Sequence, residues 1–339
     1  MKNVDRYYLR QAAQNIAQSG VNLSLRRLSE DPTWRGGYSN LSMMNGSLFI
    51  SVIDTQFLSK PAIKIVSTGI TDYNKSTERR ETSIAYLASG FMPAAVKAAI
   101  TTNNPIKTLG GLIVDGRNHG WNGNFLGNSG TAGIWTTRTL TQSGNSKIGG
   151  TESGADYAPS KPGNASIIKT NQTYPGGYPG TPDSILGGAS NGFSEGTLKQ
   201  MAIGGIGGSQ YATNPALLST PLRGVTYVEL PSGGVWQSMN IEGSGLLVVH
   251  NSMKNAGLKN LNSGTFKGLV IADDVVHIHS DIIGALIALT PSPSEGNCIG
   301  NGNGRVLYST EAVTRATGSA GSATSQGSGS EGGVMAWWE

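Results

Sequence analysis

The spacing of apolar residues changes character along the chain. Leu9, Ala13, Ile16, Gly20 or Val21, Leu25 and Leu28 recur at three- and four-residue steps, while Arg10, Gln14, Gln18, Asn22 and Arg26 fall on the opposite face. That period predicts a long helix over residues 6–30. Asp31-Pro32 stops it, because the residue before proline is pushed out of the α region. The period then shortens. Ser47–Asp54, Ala62–Ser67 and Thr82–Leu87 alternate in part and read as strands, and Asn45-Gly46 is a hairpin signal. A short helix is expected over 93–101, with Pro93 in its first turn. A modest one is expected over 194–203.

Beyond residue 103 helical periodicity fades. Gly110-Gly-Leu-Ile-Val-Asp115 reads as a strand, and Tyr174–Gly180 and Gly204–Gly208 are turn clusters. Four short apolar runs in the last third each open on glycine, at Gly245, Gly268, Gly284 and Gly304. Continuous apolar runs at roughly 20-residue spacing suit the coils of a parallel β-helix, whose strands are covered on both faces. An antiparallel sandwich with long loops is the alternative. The expected class is therefore α+β: a long helix plus antiparallel meander over 1–102, then a Gly/Asn-rich β-helix-like or β-solenoid-like domain over 103–339. The Gly/Ser-rich run 316–333 reads as a flexible loop, and Val334–Glu339 as a strand that docks.

Composition sharpens this. Glycine is 49 of 339 residues and charged residues are 14%, which excludes coiled coils and helical repeats. Collagen is excluded because the glycines have no three-residue period. Residues 1–100 hold 12 basic and 7 acidic side chains, and the remainder 13 and 14. So mild and so spread an excess is not the basic stripe of a nucleic-acid binder. The single cysteine, Cys298, forms no internal disulfide and no multi-cysteine zinc site.

Candidate chemistry is sparse. Asp273-Asp274 is a carboxylate pair of the kind used in glycoside hydrolysis. It is similar to the dipeptide of polysaccharide-cleaving β-helix enzymes, but their other elements do not accompany it, and neighbours on a strand face opposite ways. His277, His279 and Asp281 share strand parity, a spacing that suits zinc or copper when a third ligand joins; a surface histidine ladder is the alternative. Asp115, Asn118, His119, Asn122 and Asn124 crowd one stretch; Asp and Asn carbonyl oxygens at alternate positions can bind calcium, but the spacing is not that of an EF-hand loop and only one carboxylate is present, so a tight Asx-turn corner is the favoured reading. Trp121 and Trp135 nearby are candidates for stacking on sugar rings, with core packing the alternative. Phosphate loops, nucleotide fingerprints, Gly-x-Ser-x-Gly elbows and His-Glu-x-x-His motifs do not occur. The expectation is no enzyme and no cofactor.

The stretch Tyr8–Leu28, the following Asp31-Pro-Thr-Trp-Arg35, Ile65-Val-Ser-Thr-Gly69, Arg79-Arg80, Val114-Asp-Gly-Arg-Asn-His119 and the closing Ala336-Trp-Trp-Glu339 resemble type IV pilin-like proteins of the PilX-type pilus assembly group. The resemblance implies a bacterial cell-surface structural protein acting in filament assembly or adhesion. It implies other pilin-like subunits or surface proteins as partners, with a glycan or host-surface ligand besides. Its location would be the cell surface, or the periplasmic face of the inner membrane. Such proteins carry an apolar N-terminal helix, and here Met1-Lys-Asn-Val-Asp5 stands in that place. The expectation is a truncated ectodomain reaching the membrane only through the missing helix. An extracellular β-helix protein that binds or cleaves polysaccharide is the second functional expectation.

Overall fold

The computed structural model describes residues 2–31, 34–57, 60–237, 240–295, 298–323 and 334–338. The proposed stop at Pro32, the run 324–333 and the side chains of Cys298, Trp337 and Trp338 lie outside the described part. The chain divides into two compact units. One is Met1–Ser89 with Gly321–Glu339, and the other is Gly90–Ala320; the division drawn from sequence fell between residues 102 and 103.

In the first unit, helix α1 (Lys2–Glu30) lies against strands β2 (Gly46–Phe57), β3 (Lys60–Thr71) and β4 (Arg79–Ala88), with β1 (Tyr38–Met43) at the sheet edge. The strands pair antiparallel in chain order. The hairpin turns on Met44-Asn45, both at positive φ, with Met43 opposite Gly46. That is the geometry a two-residue turn needs to match strand twist. Ile16, Val21 and Leu28 of the helix share a core with Leu48, Ile50, Val52, Ile65 and Ala85. Each of the Val, Leu and Ile side chains among them contributes about 1.5–3 kcal/mol through burial.

The second unit is a stack of parallel coils. Its first strands are β5 (Ala98–Thr102), β6 (Ile106–Gly110), β7 (Ile113–Asp115), β8 (Ala132–Thr136), β9 (Leu140–Gln142), β10 (Lys147–Glu152), β11 (Ala155–Ser160) and β12 (Ile168–Lys169). A connector with helices α2 (Pro182–Ile185) and α3 (Thr197–Ile203) follows. Then come β13 (Gln210–Ala212), β14 (Val225–Glu229), β15 (Val235–Gln237), β16 (Gly243–His250), β17 (Gly257–Leu261), β18 (Thr265–Ala272), β19 (Asp274–Ile278), β20 (Asp281–Ala288), β21 (Cys298–Gly302) and β22 (Arg305–Tyr308). The large sheet runs from β13 through β14, β16, β18 and β20, and a smaller one runs β15, β17, β19, β21, β6, β9.

The winding order is not the chain order. Strand β20 pairs with β22 through its first half and with β5 through its second half. The first and last strands of the unit thus lie end to end on one neighbour, in the middle of the stack. From that joint the chain winds outward to β12. The connector takes it to the opposite end, and β13–β22 wind back. One aliphatic ladder, Leu247–Val270–Leu286–Ile100–Ile134, runs through the joint and is fully buried. Val248, Ile271 and Ile287, on the opposite face of the same strands, are buried as well. Tyr178 of the connector fastens it there: its hydroxyl lies 3.2 Å from the carbonyls of both Thr101 and Ala288, one on each side of the joint.

Helix α4 (Thr310–Ala323) and strand β23 (Val334–Trp338) close the chain, and β23 pairs antiparallel with β4. The run read as a loop from residue 316 is therefore helical as far as Ala323. Its low helix propensity is overridden by burial of Ala312, Val313, Ala316 and Ala320. Likewise Pro93–Thr101 is not a helix, because Ile100 is drawn into the aliphatic ladder as part of β5.

The class expected from sequence, α+β with a pilin-like helix and meander, is corrected. The described chain is mostly β, 42% strand against 19% helical. The sheet under α1 is not a local meander, since its fifth strand arrives from the far end of the chain. The parallel coils do not follow the helix-bearing unit but interrupt it.

Candidate functional site

Two clefts lie at the β13 and β15 end of the stack. Strand β13 closes the large sheet there and β15 the smaller one. The segment after β13 forms a ridge between them: Thr213 lines one cleft, Asn214 and Leu218 the other. The clefts each enclose about 420 Å³.

The first is bordered by Glu229, Ser232, Asn251 and Met253. Glu229 stands at the end of the apolar run Val225–Val228, so parallel register sets it beside His250. Its Oε2 accepts from the Tyr211 hydroxyl at 2.5 Å and from Lys199 Nζ at 2.7 Å. The bond from Lys199, followed by that from Tyr211, holds the Glu229 carboxyl below its ordinary value. The same bonds raise Lys199 and Tyr211. Glu229 therefore stays ionised and Tyr211 stays protonated across neutral pH. Those are the states of a clamp, not of an acid or base poised near pH 7. Since Lys199 belongs to α3, the clamp ties the connector to the sheet. Within the connector, Asp183 of α2 holds the start of α3, accepting the backbone N–H groups of Gly196 and Leu198 at 3.1 and 2.9 Å; burial pushes its carboxyl up.

A pH dependence follows from Glu229. Its folded-state value is depressed, so its stabilisation is complete above the ordinary value of 4.5 and is lost as pH falls through the folded value. Glu229→Gln should flatten the part of the acid-unfolding curve that tracks release of α3, as followed by hydrogen exchange at residues 197–203. An unchanged curve would remove the clamp from the account.

Behind this cleft His250 Nδ1 donates to Asp273 Oδ1 at 2.6 Å, and both side chains are buried. Asp273 Oδ2 accepts from the N–H groups of Asn251 and Ala256 at 2.9 and 3.1 Å. Asp274 instead accepts from Ser294, through N–H and hydroxyl, at 2.8 and 2.6 Å. The adjacent carboxylates thus serve two different turns.

The second cleft is bordered by Asn214, Leu218, Thr220, Trp236, Gln237 and Asn240. Trp236 is half-buried, whereas Val235, Gln237 and Asn240 are exposed.

The remaining sequence candidates fall elsewhere. Asp115 and His119 do come together. Asp115 makes a two-pronged ion pair with Arg117, and His119 Nδ1 donates to the Tyr308 carbonyl at 3.2 Å, with Nε2 3.6 Å from Asp115. Both are buried, and they pin a loop corner to β22. Trp121 lies between Lys267 and Arg315, 5.0 and 4.6 Å from its ring, and packs on Ile283, Leu307 and Ala312. Trp135 is covered by Tyr174 and Tyr178. Trp135 is thereby buried, while Trp121 is half-buried.

His277, at φ +63°, and His279 lie together, with their rings edge-on and 6.5 Å apart. The Nδ1 of His277 faces Asn260 Oδ1 at 3.0 Å, while Asp281 pairs with Arg305. Among the described residues no group of three or more His, Cys, Asp or Glu is placed to hold a metal. No described helix is long and apolar enough to cross a membrane.

Sequence reasoning did not reach Lys199, Tyr211, Glu229, His250 or Trp236. They come from separate segments, the strand residues placed by coil register and Lys199 by the connector helix α3, and the single local signal is Glu229 closing the run Val225–Val228. No family model matches the chain, and neither a curated protein nor a solved structure does so.

Proposed function

We propose that the chain is a structural display protein of the bacterial cell surface, working in filament assembly or adhesion. The observation that carries this reading is the insertion: residues 90–320 form a coil stack whose chain ends both lead into one helix-backed sheet, through β4 and β23. Parallel coils stacked on a fully buried aliphatic ladder suit presentation of a fixed surface. The charged centre at Glu229 is satisfied internally, which suits a structural part better than a reacting one. The resemblance of Tyr8–Leu28 and Ala336–Glu339 to pilus assembly proteins supports a place at the cell surface.

The test is labelling of intact cells that carry the native gene, with an antibody raised against residues 90–320. Labelling without permeabilisation, together with weaker surface attachment after gene deletion, is the expected result. Labelling only after permeabilisation would overturn the proposal.

A further inference from the structure

We propose that the Trp236 cleft at the free end of the coil stack binds a neutral oligosaccharide, with the indole as its stacking platform. Register explains how the platform arises. Trp236 sits opposite Leu258, and Leu258 opposite Val275. Leu258 and Val275 are completely buried, so Trp236 is the last member of an interior column. Strand β15 is the outermost of its sheet. One end of the column therefore meets a cleft instead of another coil, and an aromatic ring meant for the core is left half-buried.

The surroundings define the ligand. Asn214, Thr220, Gln237 and Asn240 line the same cleft as the ring, Asn214 with its Oδ1 already accepting from the Ala216 N–H, and Leu218 adds an apolar wall. A pyranose offers a matching surface: a C–H face for the ring and a rim of hydroxyls that both donate and accept. The described lining contains no Asp, Glu, Lys or Arg. A charged sugar entering it would lose hydration without gaining a counter-charge, so the ligand is neutral. The volume, about 420 Å³, falls within the 300–1,000 Å³ usual for small-ligand sites. Val235 is 51% exposed and the adjoining Leu217 77% exposed, apolar surface that an occupant would cover.

The inference rests on the adhesion reading for the source of the glycan, while the binding itself is measured on purified protein. The full chain would be screened against neutral glucan, galactan and mannan oligosaccharides and against uronate and sialylated ones. Any ligand would then be titrated by tryptophan fluorescence. Neutral oligosaccharides are expected to bind. Trp236→Ala should weaken them at least about tenfold, the effect of removing an aromatic anchor. Gln237→Ala, on an exposed edge position, should weaken them about threefold, the worth of one hydrogen bond, without moving the melting temperature. It decides the matter if Trp236→Ala fails to fold.

Failure of every neutral glycan to bind would overturn the inference, as would binding of acidic glycans alone or affinity unchanged in both variants. Loss of binding in Glu229→Gln with Trp236→Ala unaffected would move the ligand to the neighbouring cleft. Self-association abolished by Trp236→Ala, without glycan binding, would mean that a second copy caps the stack. None of these outcomes alters surface labelling of cells, so the two proposals fail separately.

Discussion

Replacing Gly268 by alanine is expected to destabilise the coil stack by about 3 kcal/mol or more. Gly245, Gly268 and Gly284 are register partners on successive coils, at φ values of +120°, +144° and +144°. An L side chain is strained at such angles, and here there is also no room. A Cβ on Gly268 would lie 2.0 Å from the Gly245 carbonyl oxygen, and one on Gly284 would lie 1.7 Å from that of Gly268. The obstacle is backbone on a neighbouring coil, so relief requires the coils to separate. Urea unfolding followed by circular dichroism measures the loss. Gly154→Ala, with φ +79° but open space around the added carbon, is the control and should cost only about 1–2 kcal/mol. Equal losses at the two positions would show that the close approach contributes nothing.

Asp273→Ala should cost about 3–5 kcal/mol, the penalty for stranding the partners of a buried carboxylate. His250 Nδ1–H and the N–H groups of Asn251 and Ala256 all end on it. Asp273→Asn keeps an acceptor on one side only and should fall between alanine and the parent. Thermal unfolding of both variants checks the order, and a loss under about 1 kcal/mol in the alanine variant would remove the carboxylate from the core network. The result also bears on chemistry. Any activity lost with Asp273 would first have to be separated from lost folding, because the residue holds the turn between β16 and β17.

How much of this was legible depended on the range of the interactions. The helix over 6–30, the strands after it and the apolar runs opening at Gly245, Gly268 and Gly284 are local patterns, readable from spacing alone. Even there the meaning of the glycines was half hidden. Gly304 opens a similar run but precedes Arg305, the partner of Asp281, and Tyr308 is the residue that meets Gly284. Its place is outside the column. Asp115 and His119, four residues apart, were found as a cluster because one loop carries both. Trp121 and Trp135 were found as aromatics, but the cations and tyrosines that cover them come from elsewhere in the chain. His277 and His279 were legible as neighbours because they are two residues apart in the chain, and their rings do lie 6.5 Å apart, whereas the engagement of Asp281 by Arg305 depends on coil register.

The sequence by itself determined the period of each segment, the places where glycine must open a strand and the absence of the common catalytic motifs. Those follow from backbone sterics and from the two periodicities of helix and strand, which act over a few residues. Only the tertiary structure decided that residues 90–320 interrupt a sheet completed by the chain's last strand, that β5 and β22 share one neighbour, and that Glu229, Lys199 and Tyr211 meet. Each of those depends on coil register, which is set by burying an aliphatic ladder through Leu286 and Ile100, residues nearly two hundred positions apart. The same register leaves Trp236 at the end of its column, half-buried and facing a cleft.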